Sequence, residues 1–221
     1  MNVNIVSWNM QGNGIEKLTN AQKYLIPGDI PSVILIQEAG VLVNKTPVKK
    51  YSGRIFNGLF AEHEKAKNKR CTTGVFADTA IFADARYMKG IAKRPIVYAK
   101  IVADSGEYII ATIHATAFQD TALEEISEAF LTMNDEFYDC AGWILMGDFN
   151  CSKKLLTEAG VPDKNIEAVK VPTQSGGHTL DYAVFSDSLM GKVKVTVGTP
   201  WGKGFVPLNS DHYPIDTILD I

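Results

Sequence analysis

Short runs of apolar and β-branched residues, each bounded by Gly, Pro, Asn or Asp, recur from one end of the chain to the other. They predict strands over 3–8, 33–37, 73–82, 96–102, 108–114, 142–146, 180–185, 193–197 and 214–219. Helical spacing is clearest over 121–138, where Leu123, Ile126, Phe130, Met133 and Phe137 form one stripe. Glu124, Glu125, Glu128, Asp135 and Glu136 fill much of the opposite face. A second helix is predicted over 15–25 and a short third over 153–159. Many strands with few helices, and no GxGxxG turn, argue against a regular βαβ layout. Two packed sheets with helices on their outer faces fit the pattern better. With no internal repeat, low-complexity tract or linker-like shift in composition, residues 1–221 read as a single α/β domain.

The polar residues fall in particular places on this pattern. Asn9, Glu38, His114, Asp148 and Asp181 each lie at or just beyond the end of a predicted strand. If those ends converge, one pole of the molecule gathers carboxylates, imidazoles and amides. A hard cation such as Mg²⁺ takes oxygen ligands and keeps several waters beside one or two carboxylates. Glu38, helped by Asp211 and by the amide oxygens of Asn9 or Gln11, would supply them. Phosphodiester cleavage also needs an activated water and charge stabilisation in the transition state. Asp148, or His212 with Asp181, can activate water; His114 can protonate or polarise, and Asn150 can bind a phosphoryl oxygen.

Bulk properties narrow the classes. The hydrophobic fraction is 46% and the mean hydropathy −0.02, ordinary for a globular protein. No apolar run approaches the roughly 18 residues of a membrane span. The opening MNVNIVSWN reads as a strand and not as a secretory signal, which fits a cytoplasmic protein or a secreted one supplied without its leader. Net charge is −3, so no global basic field is expected. Positive charge is clustered at Lys49 and Lys50, at Lys65, Lys67, Lys69 and Arg70, and at Lys153 and Lys154. Each cluster taken alone reads as a solvated loop. Near a catalytic rim the 65–70 cluster would hold phosphates, since nucleic-acid backbones are bound mainly by Lys and Arg. Cys71, Cys140 and Cys151 have no metal-site spacing and leave one thiol over in any disulfide scheme, so they are expected reduced or buried. His63 and His178 are expected at the surface.

Singly, each polar residue is unremarkable: GDFN alone suits a strand-to-turn. The ordered set WNMQG, QEAG, HATA, GDFN, LDYAV and SDHYP, from Trp8 to Pro214, resembles the endonuclease/exonuclease/phosphatase superfamily typified by deoxyribonuclease I. WNMQG, QEAG, HATA, the Arg94-Pro95 pair and TQSGGHTLDYAV are similar to the catalytic B subunit of cytolethal distending toxins. The resemblance implies a four-layered α/β sandwich of two mostly antiparallel sheets flanked by helices. It implies Glu38 as metal ligand, Asp181 orienting His212, Asp148 and Asn150 binding the reacting phosphate and water, and His114 as second catalytic imidazole. Arg94 falls where the family places a phosphate-binding arginine. The implied activity is that of a magnesium-dependent phosphodiesterase, foremost a DNA endonuclease, with Mn²⁺ able to substitute. The alternatives are a phosphatase acting on phosphoinositides or other phosphomonoesters, and a catalytically silent binding protein. Separate delivery subunits, secretion and action in a target-cell nucleus follow only if the chain is a toxin subunit. The resemblance fades between Gly40 and Gly74, where NKRCTTGVF is closer to bacterial superfamily members outside the toxins. There is no PAWCDR-like element of the inositol 5-phosphatases, no membrane-inserting hairpin, and no NxYxPN-type stretch after His114.

Overall fold

Alternation along the strands builds a protein with apolar layers on both faces of each sheet. The computed structural model describes residues 1–12, 17, 26, 28–40, 49–51, 53–62, 71–89, 94–117, 119–197 and 210–221. The helix expected over 15–25 and the cationic cluster at 65–70 lie outside these residues, apart from Lys17.

The first sheet contains β1 (Asn2–Asn9), β2 (Ser32–Gln37), β3 (Lys49–Tyr51), β4 (Arg54–Ala61) and β5 (Thr73–Asp78). The second begins with β6 (Phe82–Lys89), β7 (Pro95–Ala103) and β8 (Gly106–His114). Helix α1 (Gln119–Glu136) leads to β9 (Gly142–Asp148), which is followed by α2 (Lys153–Glu158). The chain ends with β10 (Ile166–Ala168), β11 (Asp181–Phe185), β12 (Thr196–Val197) and β13 (Ile215–Asp220). Strand order is β12-β13-β1-β2-β5-β4-β3 in one sheet and β10-β11-β9-β8-β7-β6 in the other. Two neighbouring pairs, β1–β2 and β8–β9, are parallel and the rest antiparallel. The expected mostly antiparallel two-sheet sandwich is therefore the observed fold.

Side chains of a strand alternate between faces. Val3, Ile5, Val33, Leu35 and Val75 of one sheet meet Val97, Ile110, Ile144, Met146 and Phe185 of the other in the central core. On the far side of the second sheet, Ala122, Ile126, Ala129 and Met133 of α1 pack on Ile109, Ala111, Trp143 and Leu145. Val6, Trp8, Ile34, Ile36 and Phe76 form a third buried layer on the outer face of the first sheet. No described helix is long and apolar enough to cross a membrane.

Four expectations need correction. The run 73–82 is two strands, because the Asp78 carboxylate and carbonyl accept the N–H groups of Ala80 and Ile81 and turn the chain. Strands β3, β4, β6 and β10 went unread: β6 shows no alternation of burial, being an edge strand with one partner. The strand expected over 193–197 shortens to Thr196–Val197. Glu125 leaves the solvent face of α1 and is buried, where its carboxylate accepts from Thr116 N–H and Oγ. All three cysteines are unpaired and Cys151 is buried.

Candidate active site

The same period-two rule that fills the central core carries polar residues to one end of it. In β1, Asn9 shares a face with Val3 and Ile5; in β8, His114 shares one with Tyr108 and Ile110. Asp148 continues the row of Ile144 and Met146 in β9, and Asp181 that of Ala183 and Phe185 in β11. Strand register then sets these residues side by side, with His114 opposite Asp148 and Asp148 opposite Asp181. Gly147 makes this register possible. A Cβ there would lie 2.0 Å from the Ile113 carbonyl oxygen, so only glycine lets β9 approach β8 this closely. One layer deeper, the buried Gln37 amide donates to Ser7 Oγ at 3.0 Å and Thr112 Oγ1 at 2.6 Å, linking the two sheets beneath the polar pole.

Asn9 stands at the centre of the contacts. Its Nδ2 donates to Asp148 Oδ2 at 2.9 Å and reaches Glu38 Oε1 at 3.4 Å, while its Oδ1 accepts from Gln11 N–H. His114 Nε2 lies 3.6 Å from Glu38 and 3.8 Å from Asp148. His212 Nδ1 is hydrogen-bonded to Asp181 Oδ2 at 3.0 Å, which leaves Nε2 directed to Asp148 Oδ2 at 3.6 Å. The SDH segment is held by Trp8 Nε1 donating to His212 O, Ser210 Oγ to Asn9 O, and Asp211 N–H to Gln11 Oε1. Asn150 donates its N–H to Asp148 Oδ1 and its Nδ2 to Ala115 O. Gln11, Glu38 and Asn150, all beside this pole, have positive φ of 48°, 49° and 50°. Non-glycine residues held there cost energy, and such strain concentrates at functional sites.

Burial foremost, and then the charge of Asp181, push the Asp148 carboxyl up to about 7, against the pull of His212, the Asn9 amide and Asn150 N–H. For His212 burial acts downward, but the hydrogen bond and charge of Asp181, with Asp148 and Asp211, outweigh it and raise the imidazole to about 9. Both groups are thus displaced toward their protonated forms, Asp148 by burial and His212 by Asp181.

Two arrangements could hold a cation. Asp148, Asp181 and His212 bring one ligand atom each within 4.8 Å of one another. In that trio His212 Nδ1 and Asp181 Oδ2 are hydrogen-bonded to each other, and a hard divalent ion prefers oxygen. Glu38 and Asp211, the ligands expected from the sequence, offer carboxylate oxygens at the same pole, Glu38 beside Asn9 and His114 and Asp211 beside His212. Asp211 Oδ1 is buried with no hydrogen-bond partner among the described residues, 3.8 Å from His212 Nε2. A buried carboxylate oxygen with no hydrogen-bond partner among the described residues suits a hard divalent cation such as Mg²⁺.

Asn9, Gln11, Glu38, His114, Asp148, Asn150, Asp181, Asp211 and His212 thus come together. Arg94 lies beside them, with Nη1 donating to the carbonyls of His114 and Ala115 at 2.9 and 3.0 Å. Arg70 is outside the described residues. Sequence reasoning assigned no role to Thr173, Gln174, Ser210 or Glu125, whose signal is positional and appears only once the loops are folded. Lys153 and Lys154 pair with Asp163 and Glu158. A surface groove lined by Leu123, Glu124, Glu128, Leu131 and Asp135 runs along α1 on the other side of the second sheet, and its acidic lining is unsuited to a phosphate.

No family model matches the sequence, and no curated protein matches it. Solved structures do. Cytolethal distending toxin from Haemophilus ducreyi superposes with a TM-score of 0.69 at 20% identity, over 99% of this chain and 98% of that one. An endonuclease/exonuclease/phosphatase family protein from Leptotrichia buccalis gives a TM-score of 0.74 at 17% identity, over 99% and 100% of the two chains. The fold is that of the endonuclease/exonuclease/phosphatase proteins. Truncated TDP2 from Caenorhabditis elegans shares it too, with a TM-score of 0.72 at 13% identity, over 100% of this chain and 98% of that one. In this endonuclease/exonuclease/phosphatase fold, the polar pole lies where β1, β8 and β9 end and β11 begins.

Proposed function

We propose that the chain is a magnesium-dependent phosphodiesterase acting as a DNA endonuclease, similar in activity to the nuclease subunit of cytolethal distending toxins. The carrying observation is the buried row His114–Asp148–Asp181, with His212 held against Asp181 at 3.0 Å and against Asp148 at 3.6 Å. Glu38 and Asp211 would hold the cation, which supplies charge neutralisation at the phosphate when bound. Asp148, poised near neutrality by burial, takes a proton from the attacking water. His212 enters as imidazolium, oriented by Asp181, and stabilises the charge that grows on the phosphoryl oxygens. His114 gives its proton to the leaving 3′ oxygen as the P–O bond breaks and the new bond from water oxygen forms. Asn150 holds Asp148 through its N–H, and Asn9 turns a donor to both Asp148 and Glu38. Arg94 fixes the backbone at His114 and Ala115 beside the site, where its guanidinium charge can attract a phosphate.

Plasmid nicking in Mg²⁺ against EDTA tests the reading, with phosphatidylinositol trisphosphate hydrolysis run beside it. Nicking by the wild-type chain in Mg²⁺, abolished by EDTA and reduced at least about 100-fold at low metal in Glu38→Ala, is expected. Phosphate release from the inositol lipid without nicking would transfer the site to the phosphatase reading. Undiminished nicking by a folded Glu38→Ala in micromolar Mg²⁺ would overturn the assignment of Glu38.

A further inference from the structure

The segment just before β11 touches both halves of the site without having been assigned to it. Thr173, fully buried, accepts the N–H groups of Leu180 and Asp181 on its Oγ1, and so caps the start of the strand that carries Asp181. Its carbonyl accepts from Tyr213 N–H at 2.7 Å, and Ser175 N–H donates to Asp211 O at 2.8 Å. Gln174 and His212 pair as an antiparallel bridge between these two bonds. A tight turn closes the segment: Gly177 N–H donates to Gln174 O, with Gly177 at φ 86°, a conformation glycine adopts freely. Residues 173–175 therefore clip the SDH segment to the β11 end, through backbone bonds on the SDH side and the Thr173 hydroxyl on the β11 side.

The Gln174 side chain adds something those backbone bonds do not. Its Nε2 donates to Asp211 Oδ2 at 3.1 Å. Oδ2 is thereby occupied, and Oδ1 is buried on the His212 side with no hydrogen bond among the described residues. A carboxylate swings about two side-chain torsions, and among the described residues Gln174 is the one side chain hydrogen-bonded to it: Gln11 and Ser175 hold only the Asp211 backbone, and His212 Nε2 stands 3.8 Å from Oδ1. We propose that Gln174 is a positioning residue of the cation site, whose amide locks the Asp211 carboxylate with Oδ1 presented to a bound divalent ion. The inference rests on the metal-dependent reading above and deepens it. Partners that orient a metal-ligating carboxylate typically contribute about 10–100-fold in metal affinity or activity.

The test compares Gln174→Leu and Gln174→Ala with the wild-type chain, with Val171→Ala as control. Val171 is 52% exposed in the same segment, and its one hydrogen bond among the described residues is the carbonyl accepting from Thr179 Oγ1. Half-saturating Mg²⁺ is measured twice, from the melting temperature of the DNA-free protein and from plasmid nicking. Both Gln174 variants should raise it about tenfold in both assays, with nicking at saturating Mg²⁺ within about twofold of wild type. Val171→Ala should match wild type. Unchanged half-saturation in both variants, including the case where they merely melt lower in EDTA, would overturn the proposal, because a structural clip predicts that result. A reduced rate at saturating Mg²⁺ with unchanged half-saturation would overturn it as well. If the wild-type chain is stabilised by Mg²⁺ but does not nick DNA, the hydrolytic reading falls and Gln174 is judged on the thermal titration. If millimolar Mg²⁺ does not stabilise the wild-type chain, the proposal falls with the metal site.

Discussion

Replacing Asp181 by Asn keeps the shape of the side chain and removes the charge that holds the His212 proton. In the folded chain His212 is raised from 6.5 to about 9 and sits 4% exposed. A group whose folded pKa is raised contributes stability that is complete below its unfolded pKa and is lost as pH rises through the folded one. The His212–Asp181 contribution is thus full below about pH 6.5 and gone above about pH 9. At 1.36 kcal/mol per pKa unit, a rise from 6.5 to about 9 corresponds to about 3 kcal/mol at most for Asp181, since Asp148 and Asp211 raise the imidazole as well. In a domain of this length 1 kcal/mol moves the melting temperature by about 2–4 °C, so the difference between wild type and Asp181→Asn should shrink by at most roughly 6–12 °C across that window. Above pH 9 the variant should equal or exceed wild type, since it no longer buries the Asp181 charge beside Asp148. Asp148 acts with the same sign at lower pH: raised from 3.8 to about 7, it weakens the fold as pH rises between those values. Scanning calorimetry in EDTA from pH 5 to about pH 10 reads both effects. Parallel melting curves for wild type and variant from pH 6.5 to about pH 9 would refute the coupling of His212 to Asp181. Nicking should fall by roughly 10²–10⁴-fold in the same variant, through loss of imidazole orientation.

His114→Ala and His212→Ala should each remove most nicking, and the double variant should lose little more, because groups acting on one phosphate are not additive. Single-turnover rates beside melting curves check this, and two destabilised but catalytically competent variants would sink the shared role. Gly147→Ala should destabilise by about 2 kcal/mol or more, since the new methyl meets backbone 2.0 Å away and not a movable side chain. Its residual activity per folded molecule should fall as well, because moving β9 from β8 separates Asp148 from His114. Urea unfolding and active-fraction measurements separate the two losses, and a neutral variant would show that the close strand approach is dispensable.

Strand content and the placing of polar residues at strand ends were legible in the sequence, because period-two alternation and bounding turns are local properties. Val3–Ile5 and Ile144–Met146 mark an inward face, and Asn9 and Asp148 continue it with no further information. The edge strand β6 was not legible, since a strand with one partner and mixed exposure carries little alternation. The burial of Glu125 was not legible either: its helical position assigns it to the polar stripe, and only the HATA loop returning over α1 supplies the Thr116 donors that satisfy its carboxylate. The site itself divides in the same way. Residue types and their order mark Asn9, Glu38, His114, Asp148, Asp181 and His212 as a set, because phosphoester chemistry needs those groups. Which nitrogen of His212 meets which carboxylate, the turning of the Asn9 amide toward two acids, and the hold of Gln174 on Asp211 depend on contacts across 31, 139 and 37 residues of sequence. Such contacts leave no local pattern, so only the packing of the two sheets decides them.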